Sequence, residues 1–145
     1  ERLDTDNLFD NYDYYNKHQP FYSDMIRCLL LYKYGGCWFD LDIFFLRNFN
    51  PIFYYFKDEV CVYQWENQNH PNNAIYISLK ARSQKMREII TYIRTYKMDW
   101  GFRSAMITYE TPIDLVVLPC SWFDAGWIEN PDNISFINFF NSVSQ

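Results

Sequence analysis

Hydrophobic positions in this chain fall into short blocks, and the change of spacing from block to block predicts the elements. Residues Glu1 to Gln19 are polar, rich in Asp, Asn and Tyr and without a period; with Pro20 behind them they read as loop or short turns. From Ser23 the spacing becomes helical. Met25, Ile26, Leu29, Leu30 and Lys33 follow at steps of three and four until Gly35-Gly36 stops the run. Ser23 is expected as the N-cap, with Asp24 placed favourably in the first turn. Cys37 to Leu46 is an apolar run of strand formers broken only by Asp40 and Asp42, and reads as a buried strand. A short helical segment, Ile52 to Lys57, leads to a strand at Val60 to Trp65 and a polar loop, Glu66 to Asn73, containing Pro71. Ala74 to Leu79 reads as a further strand. Ser83 opens an amphipathic helix in which Met86, Ile89, Ile90 and Ile93 form the core stripe, with Lys85, Arg87, Glu88 and Arg94 off it. Leu115 to Leu118 is a short buried strand closed by Pro119, Cys120 to Trp127 is aromatic and irregular, and Ile134 to Phe140 is a last apolar stretch. Strands interleaved with helices predict one α/β layered domain over residues 1–145.

Composition narrows the function classes. A chain of 145 residues is the size of one domain and can bury about 68–70% of its unfolded surface. No stretch approaches the roughly 18 apolar residues of a membrane span. With a net charge of −5 and no cluster of Lys or Arg, a polynucleotide partner is not expected. Cys28, Cys37, Cys61 and Cys120 lack CxxC spacing and read as buried reduced thiols, which favours the cytoplasm over a Golgi or secretory lumen. The outlier is the aromatic content of 21%, above what a core of this size needs. Rings with a polar tip suit a partly wet, sugar-binding cleft.

The chemistry centres on the two acids in the apolar run. Alternation along a strand would place Asp40 and Asp42 on one face, about 7 Å apart, with Leu41 and Ile43 turned to the core. Two such carboxylates repel, and a hard divalent cation with oxygen ligands is the economical resolution at neutral pH. Mg²⁺ or Mn²⁺ in such a site completes its shell with water and substrate phosphates, which points to a diphosphate-bearing substrate.

The string around these acids carries more than a bare Asp-x-Asp. Ser23-Asp24, Arg27, the apolar positions after it, Tyr34-Gly35-Gly36, the aromatic Trp38 and then Asp40-Leu41-Asp42 resemble the DXD sugar-binding region of nucleotide-sugar glycosyltransferases of the GT-A fold, family 32-like. The resemblance implies a GT-A, Rossmann-like mixed sheet flanked by helices. It also implies a metal-dependent transferase that moves a hexose or deoxyhexose from a nucleoside-diphosphate donor, by family frequency UDP, to a carbohydrate or glycoprotein acceptor. Carried over residue by residue, Asp24 and Arg27 would meet the donor sugar and Trp38 would pack beside the nucleotide. Asp40 would contact the ribose and the metal shell, and Asp42 would bind Mn²⁺ or Mg²⁺ directly. The likeness continues more weakly through Trp65-Glu66 and Asn72-Asn73-Ala74-Ile75; Trp65, Glu66, Asn73 and Trp122 become acceptor-side candidates. Asp124, among Trp122, Phe123 and Trp127, is the preferred catalytic base, with Glu66 and Asp114 as alternatives.

Two departures stand against the family pattern. Members carry one or more βα units ahead of this helix, where the chain has only Glu1 to Gln19, so it is expected to be part of a longer enzyme lacking those first units here. Many also supply a late histidine to the metal, whereas the histidines are His18 and His70, and Ser121-Trp122 stands without one. Competing readings are a non-catalytic carbohydrate-binding module, a degenerate transferase domain and, ranked lower, a dehalogenase-type phosphatase, which wants Thr or Val where Phe44 stands.

Overall fold

The computed structural model describes residues 19–43, 45, 47–67, 71–96 and 113–123. They form an α/β arrangement in which a mixed four-stranded sheet lies between helices. The first helix, α1 (Gln19–Tyr34), runs into β1 (Gly36–Phe39). A short helix, α2 (Asn50–Tyr55), precedes β2 (Val60–Gln64), and β3 (Asn72–Ser78) leads to helix α3 (Gln84–Tyr96). Strand β4 (Val116–Pro119) and a single 3₁₀ turn, Cys120–Trp122, complete the set.

The strand order is β1-β3-β2-β4. The β1/β3 and β2/β3 pairs are antiparallel, whereas β2 and β4 run parallel, with Cys61 opposite Val116 and Gln64 opposite Pro119. A proline is tolerated at that place because β4 is an edge strand.

Alternation along the strands divides the core into two layers. On one face Val60, Val62 and Tyr76 meet Met25, Cys28, Leu29 and Leu31 of α1 and Met86, Ile89, Ile90 and Ile93 of α3. The stripe read from the sequence on α3 is thus core, and Ser83 stands just ahead of the helix, its carbonyl accepting from the N–H of Arg87. On the other face Cys61, Tyr63, Ile75, Ile77 and Leu118 pack with Ile52 of α2 and with Cys120. Rings dominate that second layer. Phe39, Phe45 and Phe49 make mutual edge contacts at 4.8–5.3 Å between centroids, and Phe123 lies 5.8 Å from Phe49 and 5.4 Å from Tyr63.

The junction of α1 and β1 rests on two glycines. Gly35 has φ +68°, and a Cβ there would come within 2.3 Å of the carbonyl oxygen of Leu79, so both the left-handed backbone and the close approach demand glycine. Its N–H bonds the carbonyl of Leu31 at 2.9 Å, and the N–H of Arg82 caps the carbonyl of Tyr32. The end of α1 is thereby fixed against the β3–α3 loop, which sets where β1 begins.

Several expectations are corrected. Helix α1 starts at Gln19 rather than Ser23, because Pro20 falls in the first turn, where its missing N–H costs nothing. Ser23 and Asp24 are consequently inside the helix and do not cap it. The strand expected over Cys37 to Leu46 ends at Phe39: the N–H of Ile43 bonds the carbonyl of Asp40 at 3.2 Å, closing a turn over Asp40-Leu41-Asp42. Leu41, expected in the core, is fully exposed at the tip of that turn. Strand β3 begins at Asn72, so Asn72 and Asn73 belong to the sheet and not to the loop before it. Val117, expected buried, is 42% exposed on the edge strand.

All four cysteines are free, and burial holds three of them protonated at neutral pH: Cys28 and Cys61 are pushed up to about 12 and Cys37 to about 11. Among the described residues no helix is long and apolar enough to cross a membrane.

Candidate functional site

Where α1, the end of β1 and the start of β3 meet, three polar side chains, a backbone carbonyl and an indole ring converge on one guanidinium. Arg27 lies about two turns inside α1 and is 5% exposed. Its Nη2 is 3.3 Å from Asp24 Oδ1, 3.5 Å from Asp40 Oδ1 and 3.2 Å from the Ser23 hydroxyl. Its Nη1 donates to the backbone carbonyl of Asn73. The helix supplies Ser23, Asp24 and Arg27 because steps of three and four put them on one face. Ser23, expected to cap the helix, instead accepts from Arg27.

Strand β1 brings two further groups. Trp38 and Asp40 are two residues apart and share the face turned to α1. The indole Nε1 donates to Asp40 Oδ1 at 2.7 Å, and the Arg27 guanidinium carbon lies 5.3 Å from the centroid of the Trp38 ring. The backbone of Asp40 is held separately, its N–H bonded to the carbonyl of Ala74 at 2.9 Å.

Asn73 arrives by a register shift. Cys61 pairs with Ile77 but Tyr63 pairs with Asn72, so extra residues of β3 are accommodated between those pairs. Ala74 and Ile75 both pack into the second layer, which breaks strict alternation and leaves Asn73 toward α1. Its side-chain amide donates to Asp24 Oδ1 at 3.0 Å. Asn72 fixes the irregular stretch, its Oδ1 accepting from the N–H of Ala74 at 2.7 Å.

The floor beneath this cluster is neutral. Burial first, then the neighbouring Asp24, raise the thiol of Cys28, with Arg27 opposing; burial likewise lifts Tyr76 well above the usual phenol range. With both groups uncharged, the local charges are those of Asp24, Arg27 and Asp40, and the low polarity below strengthens their attraction. A buried guanidinium without such partners would cost several kcal/mol. Its Nε is buried and has no hydrogen-bond partner.

The two acids of the Asp-x-Asp turn are unlike each other. Asp40 has a side chain 35% exposed, with Oδ1 engaged by Trp38 and Arg27. Asp42 is exposed on the turn, and no hydrogen bond or ion pair to it occurs among the described residues. Among the described residues no group of three or more His, Cys, Asp or Glu stands close enough to hold a metal by itself.

The other sequence candidates lie elsewhere. Trp65 and Trp122 pack against the second core layer, and Glu66 is exposed in the turn after β2. Asp114 is exposed and 3.5 Å from Lys85, which bonds Glu59 at 2.6 Å; Glu59 first, and Asp114 after it, raise that lysine. Asp124, His18 and His70 lie outside the described residues. The structure therefore brings Asp24, Arg27, Trp38 and Asp40 together and adds Ser23 and Asn73, the latter expected on the acceptor side. No residue pattern announces the shift in β3 that delivers Asn73. The Trp38–Asp40 bond follows from the same two-residue alternation that was applied to Asp40 and Asp42.

No curated protein and no solved structure matches this chain. Residues 2–57, the stretch that holds Asp24, Arg27, Trp38, Asp40 and Asp42, match the family model described as glycosyltransferase sugar-binding region containing DXD motif, and that likeness supports a glycosyltransferase.

Proposed function

We propose that this chain is a metal-dependent glycosyltransferase of the GT-A type, family 32-like, moving a hexose or deoxyhexose from a UDP-sugar to a hydroxyl of a glycan or glycoconjugate. The observation that carries the reading is the buried Arg27 joined to Asp24 and Asp40 beside the exposed Asp42, within the segment that matches the sugar-binding family.

The acids fit a hard cation. Asp40 spends Oδ1 on Trp38 and Arg27, and Asp42 is solvent-exposed, so the pair offers oxygen donors of the kind Mn²⁺ and Mg²⁺ take, with water and a diphosphate filling the remaining positions. When bound there, the cation supplies Lewis-acid stabilisation to the charge growing on the departing diphosphate. Asp24 accepts hydrogen bonds from the hydroxyls of the donor sugar and orients it for in-line attack, while Arg27 keeps Asp24 and Asp40 in place and adds positive potential. In the transfer, the bond from the anomeric carbon to the diphosphate oxygen breaks and a bond to the acceptor oxygen forms. Asp124 takes the acceptor proton in the inverting version of this reaction. The transition state is oxocarbenium-like, as in glycoside hydrolysis.

The test is release of UDP from a panel of UDP-sugars with Mn²⁺, by wild type and by Asp42→Ala. The expected result is turnover of one donor that falls about 100-fold or more in the variant. A folded wild-type chain inert toward every nucleotide sugar overturns the reading in favour of a carbohydrate-binding or degenerate domain.

A further inference from the structure

We infer that Trp38 is a positioning residue for Asp40: its indole N–H fixes which carboxylate oxygen faces the protein and thereby prepares the other for a divalent cation. The inference rests on the metal-dependent reading above. It departs from the role that the family resemblance implies for this position, packing beside the nucleotide.

The geometry separates the two acids of the turn. Asp40 is restrained twice, at its backbone by the carbonyl of Ala74 at 2.9 Å and at Oδ1 by the Trp38 indole at 2.7 Å. Asp42 has neither restraint among the described residues. The loose 3.5 Å approach of Arg27 Nη2 to the same Oδ1 adds charge but little direction, because a hydrogen bond beyond about 3.2 Å orients weakly. Directional control of the Asp40 carboxylate therefore falls to the indole. The indole is itself held, packed against the α1–α3 core layer and carrying the Arg27 guanidinium 5.3 Å from its centroid. Groups that hydrogen-bond a metal-ligating carboxylate fix its orientation, and their loss usually lowers metal affinity 10- to 100-fold.

The structure thus assigns the ring of Trp38 to packing and its N–H to orientation, and Trp38→Phe separates the two. The experiment titrates Mn²⁺ alone, without nucleotide, into wild type, Trp38→Phe, Asp42→Ala and Asp40→Ala by electron paramagnetic resonance, with urea unfolding of each. It also follows the Trp38 indole N–H resonance, assigned by its disappearance in Trp38→Phe. The expected result is Mn²⁺ binding about tenfold weaker in Trp38→Phe with unfolding close to wild type, and an upfield-shifted, faster-exchanging indole proton in Asp40→Ala. Unchanged Mn²⁺ affinity in Trp38→Phe, while Asp42→Ala abolishes binding, overturns the inference and leaves the metal-dependent reading intact. Absence of Mn²⁺ binding in wild type overturns the inference, and the metal-dependent reading falls with it only if UDP binding is also indifferent to Mn²⁺.

Discussion

The two faces of the sheet solve opposite problems with neighbouring residues. At one end of the face toward α1, Trp38, Asp40 and Asn73 surround a guanidinium that is 5% exposed, whose contacts are two carboxylates, a hydroxyl, a backbone carbonyl and the indole ring, beside the apolar layer of α1 and α3. On the other face Phe39, one residue from Trp38, joins Phe45 and Phe49 in a ring cluster that holds no charge. A single step along β1 therefore passes from a site to a core. The contrast teaches where many of the aromatics among the described residues go: they fill the second layer, Trp65 and Trp122 included, where packing accounts for them. The signal for chemistry is the buried charge on the first face.

The largest effect should come from breaking that charge cluster. Arg27→Met keeps most of the side-chain volume but leaves Asp24 and Asp40 facing each other without their cation, and is expected to destabilise the fold by about 3–5 kcal/mol. Urea unfolding measures it; a loss under about 1 kcal/mol would mean that the guanidinium is not holding the acids. On the other face, Ile77→Ala opens a cavity at a residue with no exposure and is expected to cost about 3 kcal/mol. It should leave Mn²⁺ affinity near wild type, so a variant that loses stability and metal together would erase the division between the faces.

A smaller effect is expected from alkaline pH. The thiols of Cys28 and Cys61 are raised from 9.0 to about 12 in the folded state, so the native protein holds protons that the unfolded chain releases. The stabilisation is complete below pH 9 and is lost as pH rises from there toward 12, the direction that linkage requires for a group with a raised native pKa. Thermal unfolding followed at pH 7, 9 and 10.5 should show a falling midpoint only above pH 9, and an unchanged midpoint would mean that these thiols are not buried in solution.

Much of this arrangement was legible in the sequence, and what escaped had local causes. The stripe of α3 and the glycine exit of α1 were readable because apolar spacing and a left-handed turn each leave a mark in residue type. The start of α1 was not, since Pro20 ends one helix and begins another with equal ease, and its place is decided by the turn it occupies. The strand through Asp40 and Asp42 is shorter than its residues predict for a related reason: strand formers continue to Leu46, but a backbone bond from Ile43 to Asp40 closes a turn that propensity does not record. That turn exposes Leu41 and separates the fates of the two acids. Asn73 entered the site through a shift in pairing between β2 and β3, which depends on two strands at once and has no one-dimensional signature.

The smallest structural effect is expected at the residue proposed to carry the largest functional one. Asp42 is exposed and contributes no hydrogen bond or ion pair among the described residues, so Asp42→Ala should change stability by less than about 0.5 kcal/mol. The most direct measurement is calorimetric titration of UDP into wild type and this variant, each with and without Mn²⁺. The account predicts binding by wild type only when Mn²⁺ is present, and none by the equally stable variant. UDP binding that is indifferent to Mn²⁺, or equal in the two proteins, would contradict the claim that the face built around Arg27 receives a metal-bound nucleotide sugar.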